Sequence, residues 1–124
     1  MMTARNAYMG SMVQTASPAR LLVMLYDRLV VDLQRAADCQ ELGRHTDASP
    51  LLMHAQEIIL ELQGSLRVDL WEGGAQLSAI YNWLHRELVR ANVQRDVAAT
   101  RSCLDLVQPL ADAWREAALA GAES

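Results

Sequence analysis

Lysine and phenylalanine are absent from this chain of 124 residues, and cysteine, proline and aromatic side chains are few. Every basic residue is an arginine and the formal net charge is -4. The scattered arginines do not make the concentrated basic surface that binds nucleic acid by releasing counterions, so nucleic acid is not an expected partner. The two cysteines, Cys39 and Cys103, lie far apart without Cys-x-x-C or Cys/His ligand spacing. That argues against a disulfide framework or a zinc site and leaves reduced thiols. Long apolar runs are missing too. The longest, Leu21 to Tyr26, is stopped by Asp27 well short of a bilayer span, and the opening MMTARNAYMG has no apolar stretch of signal-peptide length. The expected setting is the cytoplasm, without membrane insertion.

What is present is a hydrophobic content of 52%, rich in Leu, Ala and Met, whose side chains lose little rotamer freedom in a helix. A chain of this length is expected to form one domain and to bury about two-thirds of the surface it exposes when unfolded. Ser17-Pro18 is a helix-start signal: the serine hydroxyl can accept from a first-turn amide, and proline loses nothing at the first position. The first helix is expected from Pro18 to about Glu41, with Leu22, Leu25, Tyr26, Leu29 and Leu33 on one stripe and Gly43 just past its end. A second follows Ser49-Pro50 or, a turn earlier, Asp47, and ends between Gln63 and Leu66 near Gly64, with Leu52, Ala55, Ile59 and Leu62 inward. After the Gly73-Gly74 turn a third spans about Ala75 to Ala91, with Asn92 as its cap. The fourth starts near Asp96 and repeats Val97, Thr100, Leu104, Val107, Ala111 and Trp114. Pro109 is expected to kink it, and the residues after Leu119 to fray. Short loops make successive helices antiparallel neighbours. The fold class is therefore all-α, an antiparallel up-and-down four-helix bundle over residues 17–120, with a short N-terminal arm over 1–16 and a tail over 121–124.

Each helix of a bundle turns one stripe inward, yet apolar residues occur elsewhere. Met24 and Val31 lie a heptad apart, nearly opposite the first stripe; Met53 and Leu60 do the same on the second helix, and Leu106 and Leu110 add to the fourth. Such surface either broadens the core, forms a homodimer face or makes a groove for a partner helix. Trp83, at the edge of the third stripe, either covers a seam or anchors an interface.

The chemistry that would make an enzyme is missing. There is no convincing nucleophile, no glycine-rich phosphate loop and no pair of catalytic carboxylates, and no cofactor is expected. A di-iron bundle needs Glu-x-x-His sets facing inward; here the order is reversed at His54-Ala-Gln-Glu57, and His54 is expected to be solvated. The alternative function is a histidine phosphotransfer module, which has the same size and architecture, with His54 or His85 as acceptor. Arg86 and Arg90 lie near His85, but neither histidine stands in the histidine, lysine, glycine pattern of such domains.

Several separate blocks point elsewhere. They are Asn6-Ala7-Tyr8, Thr15-Ala16-Ser17-Pro18 through Met24-Leu25-Tyr26-Asp27, the run from Ala55 to Leu62, Leu77 through Tyr81 to Leu88, Ala91-Asn92 followed by Asp96-Val97, and the late Trp114. In order and spacing, over nearly the full chain, they resemble the flagellin-specific export chaperone family; Arg28 departs, where a glycine commonly follows the tyrosine-aspartate pair. The resemblance implies a cytoplasmic carrier that binds the disordered C-terminal segment of flagellin as amphipathic helices in apolar grooves, prevents premature polymerisation and delivers it to a flagellar export gate component. It also implies that the arm bearing Tyr8 packs over the docking region, whereas Tyr8 read alone simply plugs the end of the bundle. Together with the surplus apolar surface, it makes Tyr8, Met24, Val31, Met53, Leu60, Leu106 and Leu110 the candidate contacts, with Tyr26, Tyr81 and Trp83 as groove-lining aromatics.

Overall fold

The computed structural model describes residues 17–67 and 72–123, with side chains as far as residue 121. The arm with Tyr8, and Trp71, lie outside the described residues. Four helices follow one another: α1 (Pro18–Glu41), α2 (His45–Ser65), α3 (Gly74–Val93) and α4 (Val97–Glu123).

The helix ends explain their own positions. Ser17 is extended and its hydroxyl accepts the Arg20 N–H at 3.2 Å, with Pro18 in the first turn, so α1 starts where the serine-proline signal places it. At its far end Gly43 takes φ +72, which lets the Arg44 N–H reach the Cys39 carbonyl at 2.8 Å and the Gly43 N–H reach that of Gln40 at 3.0 Å. The chain therefore reverses at once, and α2 begins at His45, earlier than the Ser49-Pro50 signal suggests. The Arg44 carbonyl accepts from Asp47 and Ala48, the Arg44 guanidinium pairs with the Asp47 carboxylate at 2.7 Å, and Ala48 is buried. An acidic first turn and one buried contact outweigh the single amide that Pro50 withholds from the exposed Thr46.

Asn92 does not cap α3. The helix continues to Val93, and the left-handed residue is Arg95 at φ 54, whose turn sends the Asp96 N–H back to the Ala91 carbonyl at 2.9 Å. Asp96 then caps α4 by accepting the Ala99 N–H at 3.1 Å. Because that backbone bond and the Arg90 guanidinium both favour the charged form, the Asp96 carboxyl is held below its ordinary value. From there α4 is helical without interruption through the exposed Pro109 to Glu123, so the last turn reaches beyond Leu119.

Each helix packs against its two neighbours in a ring, α1 on α2 and α4, and α3 on α2 and α4. Side-chain bonds fix the directions. Arg101 and Arg115, near opposite ends of α4, reach Glu41 and Asp27, near opposite ends of α1, while Gln63 late in α2 donates to Asn82 early in α3 at 2.6 Å. Those neighbours are antiparallel. Across the diagonal, α1 and α3 run parallel, tied at one end by the Tyr26 and Tyr81 hydroxyls at 2.6 Å and at the other by Gln40, which donates to the Ala91 carbonyl at 3.2 Å and accepts from Thr100 at 2.7 Å. Between these two polar ties the core is aliphatic, built on Leu29, Leu33, Leu52, Ile59, Leu84, Leu88 and Val107.

Burial pushes the Cys103 thiol up to about 12 from its usual 9.0, with the Glu87 carboxylate adding to the effect. A protonated thiol is a poor nucleophile. Alkylation of the native protein at mildly alkaline pH should therefore label the half-buried Cys39 and spare Cys103 until the bundle is unfolded, as read by mass spectrometry. The same shift has a linkage consequence. The folded thiol holds its proton more tightly than the unfolded one, so its contribution to stability is complete below pH 9 and is lost as pH rises toward 12. Tyr26 and Tyr81, both raised chiefly by burial, act in the same direction.

Gly64 sits in the last turn of α2, exposed, and a Cβ there would meet nothing within 4 Å. Gly64→Ala should raise stability by about 0.5 to 1 kcal/mol in a chemical denaturation curve, because alanine reduces the freedom of the unfolded chain without a clash in the folded one.

Candidate docking surface

Helix α2 carries an apolar face that the bundle does not use. Ala48, Leu52, Ala55, Ile58, Ile59 and Leu62 are buried, whereas Met53 and Leu60 remain 55% and 51% exposed. Residues seven apart differ by nearly two full turns, so these two share one outward direction. Toward the start of α2, Met53 borders a shallow hollow with Thr46, Ser49, Pro50, His54 and Glu57.

At the other end of α2, among the described residues, no further layer lies above the four inward stripes. Leu22, Leu62, Leu66, Leu77, Tyr81 and Trp114 line one hollow there together with Arg67. Pro18, Ala19, Leu21, Leu22, Leu25 and Trp114 line a second together with Glu61, and the two adjoin through Leu22, Ser65 and Trp114. The result is an apolar trough at the end of the bundle, and Met53 and Leu60 add separate exposed apolar side chains on the outward face of α2. From Met53 to the end of α2 at Ser65 the helix rises about 18 Å.

The structure disperses the other candidates. Met24 and Val31 are half-buried on α1, and Trp83 is 38% exposed on α3. Leu106 and Leu110 are partly buried and pack against the core, so much of their surface already serves the bundle. Tyr26 is not a groove wall: its ring is fully buried and its hydroxyl bonds to Tyr81 across the diagonal. Tyr81 is buried as well, yet its ring reaches the lining of the trough. Reading the helices as stripes placed Leu22, Leu25, Leu62 and Trp114 inward, and all four belong to the core or pack against it; what it did not show is that Leu22, Leu25 and Trp114, with Leu66, are only partly buried there and line the hollows together with the buried Leu62 and Leu77. The signal that identifies them is position: each belongs to the layer of its stripe nearest the open end.

His54 is not simply solvated. Its Nδ1 meets the carboxylate of Asp32, which is 0% exposed, and the Arg28 Nε lies 3.3 Å from the other Asp32 oxygen. A buried carboxylate needs such partners, and they lock α1 to α2 beside the outer face of α2. Arg90 is likewise committed, to Glu87, Gln94 and Asp96, and its hydrogen bond is the main cause holding the Glu87 carboxyl below its ordinary value. Neither histidine therefore stands beside an uncommitted pair of basic groups suited to neutralising a phosphoryl group. Among the described residues, no three His, Cys, Asp or Glu side chains gather to hold a metal ion, and no helix is long and apolar enough to cross a membrane.

The described residues form a ring of four helices, antiparallel between neighbours and with an apolar trough at one end, which places the chain in the class of four-helix bundles. The chain belongs to the family described as flagellar protein FliS, whose model matches residues 1–121. It is 32% identical over 112 residues to the flagellar secretion chaperone FliS of Bacillus subtilis, covering 90% of this chain and 84% of that one. It is also 32% identical over 114 residues to the Escherichia coli protein of the same name, covering 88% and 82%, and 33% identical over 110 residues to that of Salmonella typhimurium, covering 86% and 80%. These relatives are named as chaperones, not as enzymes. A crystal structure of a flagellar chaperone from bacteria superposes with a TM-score of 0.74 at 21% identity, covering 93% of this chain and 97% of that one, and so shares the fold.

Proposed function

We propose that this bundle binds the disordered C-terminal segment of flagellin in the cytoplasm, shields its apolar residues from premature polymerisation and yields it to a component of the flagellar export gate. The observation that carries this reading is apolar surface the bundle leaves open, the exposed Met53 and Leu60 on α2 and the trough around Leu22 and Trp114. An unfolded segment that becomes helical on binding loses about 2 to 5 kcal/mol to ordering, so it needs several apolar anchors spread along its length. The hollows together with the exposed Met53 and Leu60 offer that spread, and membership of a family of flagellar secretion chaperones supports a flagellar client. Met53 and Leu60 are the principal contacts in this reading, joined by the trough; Met24, Val31 and Trp83 are outlying ones, and Tyr8, outside the described residues, is a further proposed contact.

The test mixes the purified chain with a flagellin C-terminal peptide and follows heat and helicity. Saturable binding with more helix than the two components have separately is the expected result. No heat and no gained helix sink the proposal. Incubation with a phosphorylated receiver domain should leave His54 and His85 unlabelled; stable label on either would favour the phosphotransfer alternative.

A further inference from the structure

Trp114, half-buried on α4, is shared by both hollows at the end of the bundle. Leu62, Leu77 and Tyr81 line only the first hollow and Leu21 and Leu25 only the second, while Trp114, with Leu22 and Ser65, borders both and is the largest of the three. The indole N–H can only donate, and it is directed to the Tyr26 hydroxyl, which is itself 2.6 Å from that of Tyr81. Three helices thus converge on one aromatic plate between two apolar spaces.

We propose that Trp114 is a specificity-determining wall, splitting this end of the bundle into two subsites that each take one aliphatic side chain from the same face of a bound helix. This rests on the flagellin-segment reading and adds what chemistry of the segment is recognised. Side chains three or four residues apart on a helix stand about 6 Å from one another, a separation that one intervening indole can bridge. The walls are mostly leucine, proline and aromatic carbon, with Ser65 shared by both hollows, Arg67 lining one and Glu61 the other, so branched aliphatic groups match most of the lining.

The test measures affinity of the full chain for the flagellin C-terminal peptide and for versions in which each aliphatic residue is changed to alanine or enlarged to tryptophan. In the unaltered chain, one pair at helical spacing should stand out, each member losing about tenfold or more on truncation, and enlargement of either should also weaken binding. Trp114→Ala joins the two spaces, so the enlarged peptide should then bind more tightly than the parent peptide, a reversal of rank. Trp114→Leu, which keeps more of the bulk, should level the two, and serves if the alanine variant melts too low to use. A reversal is not produced by general loosening of the bundle. If the variants rank the peptides as the unaltered chain does, the wall is refuted while the proposed function stands. If the parent peptide does not bind the unaltered chain, both fall.

Discussion

Glutamate at both Met53 and Leu60 should weaken binding of a flagellin C-terminal peptide by at least two orders of magnitude, while the melting temperature stays within a few degrees of the parent chain. About half of each side chain is still open to water, so a client that covers both gains roughly half of the 1.5 to 3 kcal/mol that full burial of such a side chain provides, about 1 to 1.5 kcal/mol at each position. A carboxylate in either place forfeits that gain and must also be desolvated beneath an apolar client without a partner. Together these exceed about 3 kcal/mol, which is more than a hundredfold in affinity. The fold is spared for the same geometric reason. The outward face of α2 holds up no core contact at Met53 or Leu60, glutamate is a good helix former, and the added repulsion with Glu57, four residues from one position and three from the other, is about 0.2 to 0.5 kcal/mol per pair. Arginine at both positions separates causes. If burial carries the affinity, the arginine pair abolishes binding as well; if only glutamate does, repulsion from an acidic protein is responsible. Unchanged affinity in the glutamate variant removes the α2 face from the docking surface.

The parts of the molecule visible in the sequence are those set by local rules. Ser17 and Pro18 dictate one helix start, Gly43 one stop and Asp96 another cap, and the period of Leu29, Leu33, Leu52, Ile59, Leu84 and Leu88 dictates which faces meet. Heptad spacing away from the seam also identified Met53 and Leu60 as outward. Contacts between helices were not visible in this way. Leu106 and Leu110 look like surplus on a helical wheel, but both are partly buried against the core, and Tyr26 looks amphipathic until Tyr81 on the diagonal helix supplies its hydroxyl partner. The trough is the largest such omission, because a stripe gives the direction of a side chain and not whether another layer lies above it.

The Asp32 and His54 pair was hidden for a related reason, since each residue alone reads as an ordinary polar position, and it leads to the largest expected effect on stability. His54→Ala should cost about 2 to 3 kcal/mol in chemical denaturation, toward or just below the lower end for breaking a buried ion pair because the histidine is a third exposed and water can partly replace it. What remains is a fully buried carboxylate that has lost the ring against one oxygen and keeps only Arg28, more than half exposed, at 3.3 Å from the other. Asp32→Leu alone should be far milder, because the histidine it strands can turn to solvent. The double substitution Asp32→Leu with His54→Leu should return stability to within about 1 kcal/mol of the parent chain or above it, since two leucines at the α1–α2 seam need no desolvated charge. The cycle is therefore expected to be strongly non-additive, with the cost assigned to the stranded carboxylate and not to lost packing. A loss below about 0.5 kcal/mol for His54→Ala, the ordinary scale of a surface change, would mean that Arg28 and water satisfy Asp32 without the histidine.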